Sequence, residues 1–158
     1  MAKSPSYFGK FPCMPGEKKP TMVTKADCPK FIYTPERPHA SDLNWIFAST
    51  DHLTCGQYQL APGSTFDPVD VHSGDEVYYV LEGTVTMFNP KLGQVEDVSA
   101  GEVILLPKEA PHKAYNFTNK KAVIFFVIAP KMWEESGPPD GYYDTMKLLK
   151  YEKEEGKE

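Results

Sequence analysis

Short runs of apolar residues, separated by turn residues, make up the middle of the chain. Between about residues 40 and 130, runs rich in Val, Ile, Tyr, Phe and Thr alternate with Pro, Gly, Asn and Asp, which is typical of β-strands joined by turns. No stretch of ten or more residues in this region has the apolar spacing of a helix. The pattern predicts strands near 44–49, 53–60, 69–72, 76–81, 84–88, 94–97, 103–106, 112–117 and 122–129.

The number and spacing of these strands predict an all-β domain, either a sandwich or a barrel-like jelly roll. The Pro- and Lys-rich residues 1–30 show neither helical nor strand spacing, so we expect an extended arm that lies along a surface. The mostly charged residues 147–158 predict a short helix or a frayed end. We therefore expect a single domain over 1–158, with a β-barrel core at about 44–130 and a C-terminal extension at 131–158.

Charge and composition narrow the set of partners. The chain has 17 Lys and Arg against 22 Asp and Glu, a formal net charge of −5, which argues against nucleic acid. The longest apolar run, residues 122–129, is too short to span a membrane, and residues 1–10 lack the apolar segment of a signal peptide. Cys13, Cys28 and Cys55 form no Cys-x-x-Cys pair and fit free thiols. We expect a cytoplasmic protein with no nucleic-acid or membrane partner.

Two of the four histidines lie among carboxylates. Asp70 and His72 are two residues apart on a predicted strand, so their side chains leave the same face. A Gly-containing turn follows, and Glu76 begins the next predicted strand, so this hairpin can bring the three side chains together. If the strand that His112 begins lies opposite, two imidazoles and one carboxylate converge, with Asp70 as a further oxygen donor.

Such a set of side chains suits a divalent transition metal. Two neutral imidazoles and one or two carboxylates are ligands for Fe, Mn, Zn, Co or Ni. Without a cation, Asp70 and Glu76 would repel each other inside a barrel, which is costly. The alternative is that Asp70 and His72 form a polar pair at the rim and that His112 caps a strand. The four residues at these spacings, taken together, favour a metal site.

Two sequence motifs carry a family resemblance. The first consists of Gly63, Asp70-x-His72, Glu76 and Gly83, and the second of Gly101, Pro107, His112 and Asn116. In this order and spacing they resemble the two motifs of the cupin superfamily, and in particular its small single-domain, cupin_2-like members. The resemblance covers about residues 44–130. It implies a double-stranded β-helix, the cupin jelly roll, with a metal ion inside the barrel.

The chain departs from the family motifs at two positions. Asp70 stands where the first motif has a histidine and is separated from Gly63 by six residues instead of five, and Glu109 stands where the second motif has a glycine. Asp70 is therefore either a fourth metal ligand or a base beside the metal. Alternation places Tyr78 on the same face as Glu76, so Tyr78 is either a catalytic residue of the cavity or a core aromatic. Asn116 shares a face with His112, and we expect it to orient a ligand.

The resemblance implies a metal-binding protein for small molecules, and it leaves the reaction open. Our first hypothesis is a metal-dependent enzyme acting on a carboxylate, an enol or a hydroxy-carbonyl compound. Its metal is held by His72, Glu76 and His112, with Asp70 as ligand or base. Among enzymes, we rank an oxidoreductase of the dioxygenase type above a lyase or isomerase, because non-haem Fe(II) oxygenases use two histidines and one carboxylate. The alternatives are a non-catalytic binding module and a structural barrel with an empty site. Because cupins often dimerise through barrel faces and N-terminal strands, we also expect a homodimer.

Overall fold

The protein is described by a computed structural model that covers residues 12, 18–24, 28, 30–33, 42–65, 69–130, 132 and 146–148. These residues form ten β-strands and loops, and none of them lies in a helix. The strands are β1 Lys30–Tyr33, β2 Asp42–Ser49, β3 Thr54–Leu60, β4 Asp75–Glu82, β5 Thr84–Asn89, β6 Gln94–Ser99, β7 Val103–Leu106, β8 Lys113–Tyr115, β9 Ala122–Ala129 and β10 Met146–Leu148.

The strands form two antiparallel sheets that enclose one apolar core. Sheet A has the order β10-β1-β2-β3-β9-β4-β7, and sheet B has the order β6-β5-β8. The core contains side chains from both sheets, for example Ile124 from sheet A and Val85 from sheet B, both fully buried. This architecture confirms the predicted all-β fold and is that of a double-stranded β-helix.

Alternation along β4 shows how the sequence separates the core from the surface. Glu76, Tyr78 and Val80 are buried, whereas Asp75 and Tyr79 are exposed. Burying one such apolar side chain contributes about 1.5–3 kcal/mol, so a register shift of one residue would be strongly disfavoured. The same alternation directs Glu76 to the inside of the barrel.

The turn after β4 needs a glycine. Gly83 joins β4 to β5 with a φ of 77°, a left-handed conformation that a side chain disfavours. A Cβ atom at this position would also collide with the carbonyl oxygen of Lys121. The final glycine of the first motif therefore has a structural role.

The strand predicted at 69–72 does not form. Asp70 makes only an isolated bridge with His112. A continued antiparallel pairing would place Ala110 in the next pair of backbone hydrogen bonds. That pair is not formed, because the Ala110 N–H donates to the Pro107 carbonyl instead.

Two short strands at the ends were not predicted. Strand β1 pairs with β2 and with β10, so sheet A extends beyond the predicted core at 44–130. The helix or frayed end expected over 147–158 is wrong for Lys147 and Leu148, which lie in β10. The rest of that tail lies outside the described residues.

Only part of the predicted N-terminal arm is described. Within it, Pro12, Thr21, Val23 and Cys28 line a groove on the outer face of sheet A, together with Trp45 and other residues of β2 and β3. Within the predicted arm, residues 1–11, 13–17, 25–27 and 29 lie outside the described residues, and so do most residues of the C-terminal extension. No helix among the described residues is long and apolar enough to cross a membrane.

The outer face of sheet A carries exposed apolar side chains at one end. Tyr79 and Leu81 of β4 are 39% and 48% exposed, and Val103 and Leu105 of β7 are 59% and 58% exposed. Tyr79 and Val103 are register partners, so the two strands present one continuous surface. We call these four residues the outer patch.

Candidate metal centre

Two loops and one strand position the buried polar side chains. Backbone hydrogen bonds of 2.8 and 3.0 Å join Asp70 and His112 in both directions. His72 follows in the loop before β4, and Glu76 is the second residue of β4. All four side chains are buried, with residue exposures of 2–5%. We call Asp70, His72, Glu76 and His112 the buried cluster.

The distances within the buried cluster are short. The Glu76 Oε2 atom lies 3.0 Å from His112 Nε2 and 3.3 Å from His72 Nε2. The Asp70 Oδ2 atom lies 3.3 Å from the same His72 nitrogen. Ligand atoms of Asp70, His72 and His112 are all within 4.8 Å of one another. The structure therefore brings together every residue that the sequence suggests as a metal ligand.

These distances are those expected of ligands that share one ion. Around a transition-metal ion bound at about 2.1 Å, adjacent ligand atoms are about 3.0 Å apart in octahedral and about 3.4 Å apart in tetrahedral geometry. Glu76 Oε2 and His112 Nε2 have no hydrogen-bond partner among the described residues, although they lie 3.0 Å apart. Leaving such buried polar atoms unsatisfied is costly. A divalent cation would satisfy both, so the residues fit a metal ion.

A backbone carbonyl orients one of the imidazoles. The Nδ1 atom of His112 lies 2.9 Å from the carbonyl oxygen of Ala110. Because a carbonyl only accepts hydrogen bonds, Nδ1 carries a proton, and in the neutral ring Nε2 keeps the lone pair that a metal ligand needs. Sequence inspection missed this contact, since a carbonyl acceptor has no side-chain signature.

The carboxylates control the protonation of both imidazoles. Burial by itself lowers the pKa of His72, but Asp70 and Glu76 outweigh burial and raise that pKa to about 10. Burial also lowers the pKa of His112, but Glu76 and Asp70 outweigh it again, so that this pKa is raised as well. In the absence of metal, the cluster therefore holds protons, which a metal ion has to replace.

Comparison with known proteins identifies the barrel. No curated protein matches the chain. The family model described as a cupin domain matches residues 56–128, from β3 to β9, a range that contains the whole buried cluster. The barrel is a cupin domain. The resemblance inferred from the two motifs is thereby confirmed.

Solved structures share the fold. A predicted oxalate decarboxylase from Thermotoga maritima is 19% identical with a TM-score of 0.59, over 70% of this chain and 99% of that one. The polyketide cyclase RemF from Streptomyces resistomycificus is 21% identical with a TM-score of 0.57, over 70% and 80%. The TT1209 protein from Thermus thermophilus is 29% identical with a TM-score of 0.52, over 62% and 88%.

Tyr78 lies beside the buried cluster inside the cupin barrel. Its ring meets the His112 ring edge-on with centroids 6.0 Å apart, and it meets Tyr58 in the same way at 5.5 Å. Burial, followed by the charge of Glu76 and by Tyr58, raises the pKa of Tyr78 well above its usual range. The hydroxyl therefore keeps its proton at neutral pH and is suited to donate a hydrogen bond.

Asn116 does not orient a ligand, contrary to the expectation from the second motif. Its Nδ2 donates to the carbonyl oxygens of Leu60 and Lys120, at 3.0 and 2.7 Å. Its Oδ1 accepts from the N–H and the hydroxyl of Thr118, at 3.0 and 2.7 Å. The fully buried amide thus fastens the loop after β8 to the end of β3.

A groove gives access to the centre. It has a volume of about 660 Å³, runs between β6 and β7, and is lined at one end by His112. Sites for small molecules commonly measure about 300–1,000 Å³. The cupin barrel therefore has room for a small molecule next to the candidate metal ligands.

Proposed function

We propose that this cupin domain is a metal-dependent enzyme acting on a small molecule, with a divalent transition metal (Fe, Mn, Zn, Co or Ni) held by His72, Glu76 and His112. The observation that carries the proposal is the buried Glu76 oxygen, which contacts both imidazole nitrogens and has no hydrogen-bond partner among the described residues. The groove that reaches His112 favours an enzyme over a closed structural site, because catalysis needs an open coordination position. The alternative is a non-catalytic module that binds a metal or small ligand.

The substrate class follows from the ligand set. When bound, the metal supplies Lewis-acid stabilisation to an oxygen of a carboxylate, an enol or a hydroxy-carbonyl compound. We rank an oxygenase ahead of a lyase or isomerase, because non-haem Fe(II) oxygenases use two histidines and one carboxylate. Asp70 as a fourth ligand would reverse that order. The predicted oxalate decarboxylase and the polyketide cyclase that share the fold differ in their named activities, and they select no substrate for this chain.

Three residues beside the proposed metal ligands have roles in orientation, hydrogen bonding and proton transfer. Ala110 keeps the His112 ring in one orientation through the Nδ1–H. Tyr78 keeps its proton, and it is either a hydrogen-bond donor to a substrate oxygen or an aromatic residue of the core, to which its ring belongs. Asp70, whose carboxylate lies 3.3 Å from His72, either binds the metal or accepts a proton from the substrate.

Metal content measured by elemental analysis tests the ligand assignment. We expect near-stoichiometric metal in the wild type purified without chelator, and a loss of most of it in His112→Ala and Glu76→Gln. His52→Ala is the matched control, because His52 is exposed in a turn and should leave the metal content unchanged. Unchanged metal in a folded His112→Ala protein, judged by far-UV circular dichroism, would contradict the assignment.

The variant Asp70→Asn separates the two roles of that carboxylate. If Asp70 is a ligand, the variant loses most of its metal. If it is a base beside the metal, the variant keeps the metal and loses turnover. If the native metal is iron, oxygen-uptake assays are the next experiment. If it is Zn, Mn or Ni, lyase and isomerase assays come first.

We also propose a single domain over 1–158, a cytoplasmic location and a homodimer. Cys28 and Cys55 form no disulfide with any described residue, which supports a reducing compartment. The outer patch supports the homodimer, because four adjacent exposed apolar side chains are typical of an interaction surface. A second copy can cover this surface symmetrically.

A further inference from the structure

The groove that reaches His112 has an apolar middle. Its walls include Met87 and Val98 from the inner face of sheet B and Ile104 and Leu106 from β7. Met87, Val98 and Leu106 are buried at 3–8% exposure, and Ile104 packs against the core. A ligand that lies along this groove therefore needs an apolar segment in the middle.

The far end of the groove is polar because of the alternation along β6. Gln94, Glu96 and Val98 share the inner face of that strand, and only Val98 is buried. Glu96 is the register partner of Met87, which in turn pairs with Ala114 of β8. Glu96 and β8 are therefore two strand spacings apart, which is about 10 Å between their backbones. His112 lies directly before β8.

The groove carries negative charge that no described residue balances. Glu96, Asp97 and Glu102 all line it, and no Lys or Arg is among its lining residues. Glu96 Oε1 accepts a hydrogen bond of 3.2 Å from the amide of Gln94. Glu102 accepts one of 2.7 Å from the Ser99 N–H. These neutral donors order the carboxylates and leave their charge uncompensated.

We propose that Glu96 forms a cation subsite, so that the ligand of this groove has an oxygen group at one end, an apolar middle and an ammonium-type cation at the other. This inference rests on the proposed function for the oxygen end, where the buried Nε2 of His112 has no hydrogen-bond partner among the described residues. It names a class within the proposed substrates: amino-carboxylates or amino-hydroxy compounds. It disfavours dicarboxylates, because a second carboxylate would lie against Glu96.

Three matched probes test the subsite. 6-Aminohexanoate, hexanoate and adipate share one carboxylate and a similar chain, and they differ in ending with an ammonium, a methyl or a carboxylate group. Zn²⁺-loaded protein is titrated with each by NMR of the backbone amides. We expect 6-aminohexanoate to bind about 2- to 5-fold more tightly than hexanoate, the range of an exposed ion pair, and adipate to bind most weakly. High salt should reduce the difference.

Two charge-matched variants assign the preference to a residue. Glu96→Gln should abolish the preference for 6-aminohexanoate. Glu82→Gln should retain it, because this change removes the same charge at an exposed position that pairs with Lys121 and does not line the groove. Equal binding of the three probes by the Zn²⁺-loaded wild type, or a preference that persists in Glu96→Gln, would overturn the subsite and leave the metal centre standing.

A failure of the metal centre is recognised separately. If the protein binds no Zn²⁺, the proposed function fails, and hexylamine and hexanol are compared on the metal-free protein instead. A preference for hexylamine that disappears in Glu96→Gln would uphold the subsite by itself. Equal binding of the two would overturn it.

Discussion

At the scale of single residues, His72 and His112 are protonated in the metal-free protein because two carboxylates are buried beside them and raise the pKa of both rings. Burial of an imidazole disfavours its charged form, and here Asp70 and Glu76 reverse that effect. A divalent metal carries the charge that the two imidazolium groups would otherwise supply. Metal binding should therefore release protons and should strengthen as the pH rises.

The metal-free protein should lose stability in alkaline solution. The pKa of His72 is about 10 in the folded state and about 6.5 in an unfolded chain. Because the folded-state pKa is the higher one, the stabilisation is complete below about pH 6.5 and is lost as the pH rises toward 10. Calorimetry of chelator-treated protein should show Tm falling over this range.

The same experiment on His72→Gln provides the control for this pH dependence. The variant lacks the titrating imidazole, so its Tm should change less between pH 6.5 and 10. A wild-type Tm that stays constant or rises over this range would contradict the coupling between the imidazole and the two carboxylates.

At the scale of elements, the turn between β7 and β8 holds the cluster together. The Glu109 N–H donates to the His72 carbonyl at 2.8 Å, and the Ala110 carbonyl accepts from the His112 ring. Glu109 has a φ of 62°, and it occupies the position where the cupin motif has glycine. The chain thus keeps the left-handed backbone of the motif with a residue that disfavours it.

Replacing Glu109 by glycine should stabilise the protein. The left-handed conformation costs a non-glycine residue about 1–2 kcal/mol, and the greater freedom of glycine in the unfolded chain offsets about 0.4–1 kcal/mol of that. We expect Glu109→Gly to raise the free energy of unfolding by about 0.5–1 kcal/mol, measured by denaturant titration.

Lys108→Gly is the matched control for the turn. Lys108 is a neighbouring exposed residue without a positive φ, so glycine there should lower the free energy of unfolding by about 0.5–1 kcal/mol. If both glycine variants are destabilised equally, backbone strain at Glu109 has no effect on stability.

At the scale of the whole molecule, two neighbouring surfaces of the described residues bear on function. The groove between β6 and β7 reaches His112, and the outer patch adjoins it, because Val103 and Leu105 also line the groove. A stable interface buries about 800 Å² on each partner, so a dimer built on the outer patch would extend beyond its four side chains onto neighbouring residues of the same face.

A charge in the outer patch should dissociate the dimer. We expect the wild type to have twice the 17.8 kDa mass of one chain in light scattering after size exclusion, and Val103→Lys to have the mass of a monomer. Val95→Lys is the matched control, because Val95 is also 59% exposed but lies in sheet B. A monomeric wild type, or a Val103→Lys protein that stays dimeric, would contradict this interface.

Much of the fold could be predicted because its signals are local. Strands at 76–81, 84–88 and 122–129 follow from alternation or continuous apolar runs, and β4, β5 and β9 confirm them. The segment 69–72 has the composition of a strand, yet the diversion of the Ala110 N–H into a turn limits it to one bridge. Short strands such as β10 depend on their pairing partner, which no local pattern shows.

Local sequence patterns are enough to predict the β core, the turns and the set of side chains that could meet, because period-two alternation and turn chemistry act within a few residues. The surroundings of each of those side chains depend on tertiary packing. The contact of Glu76 with His112, the hydrogen bond from Asn116 to Leu60 and the place of Glu96 in the groove all join segments distant in sequence. Burial and Coulomb interactions depend on distances in space, and those exist only once the two sheets have closed on each other.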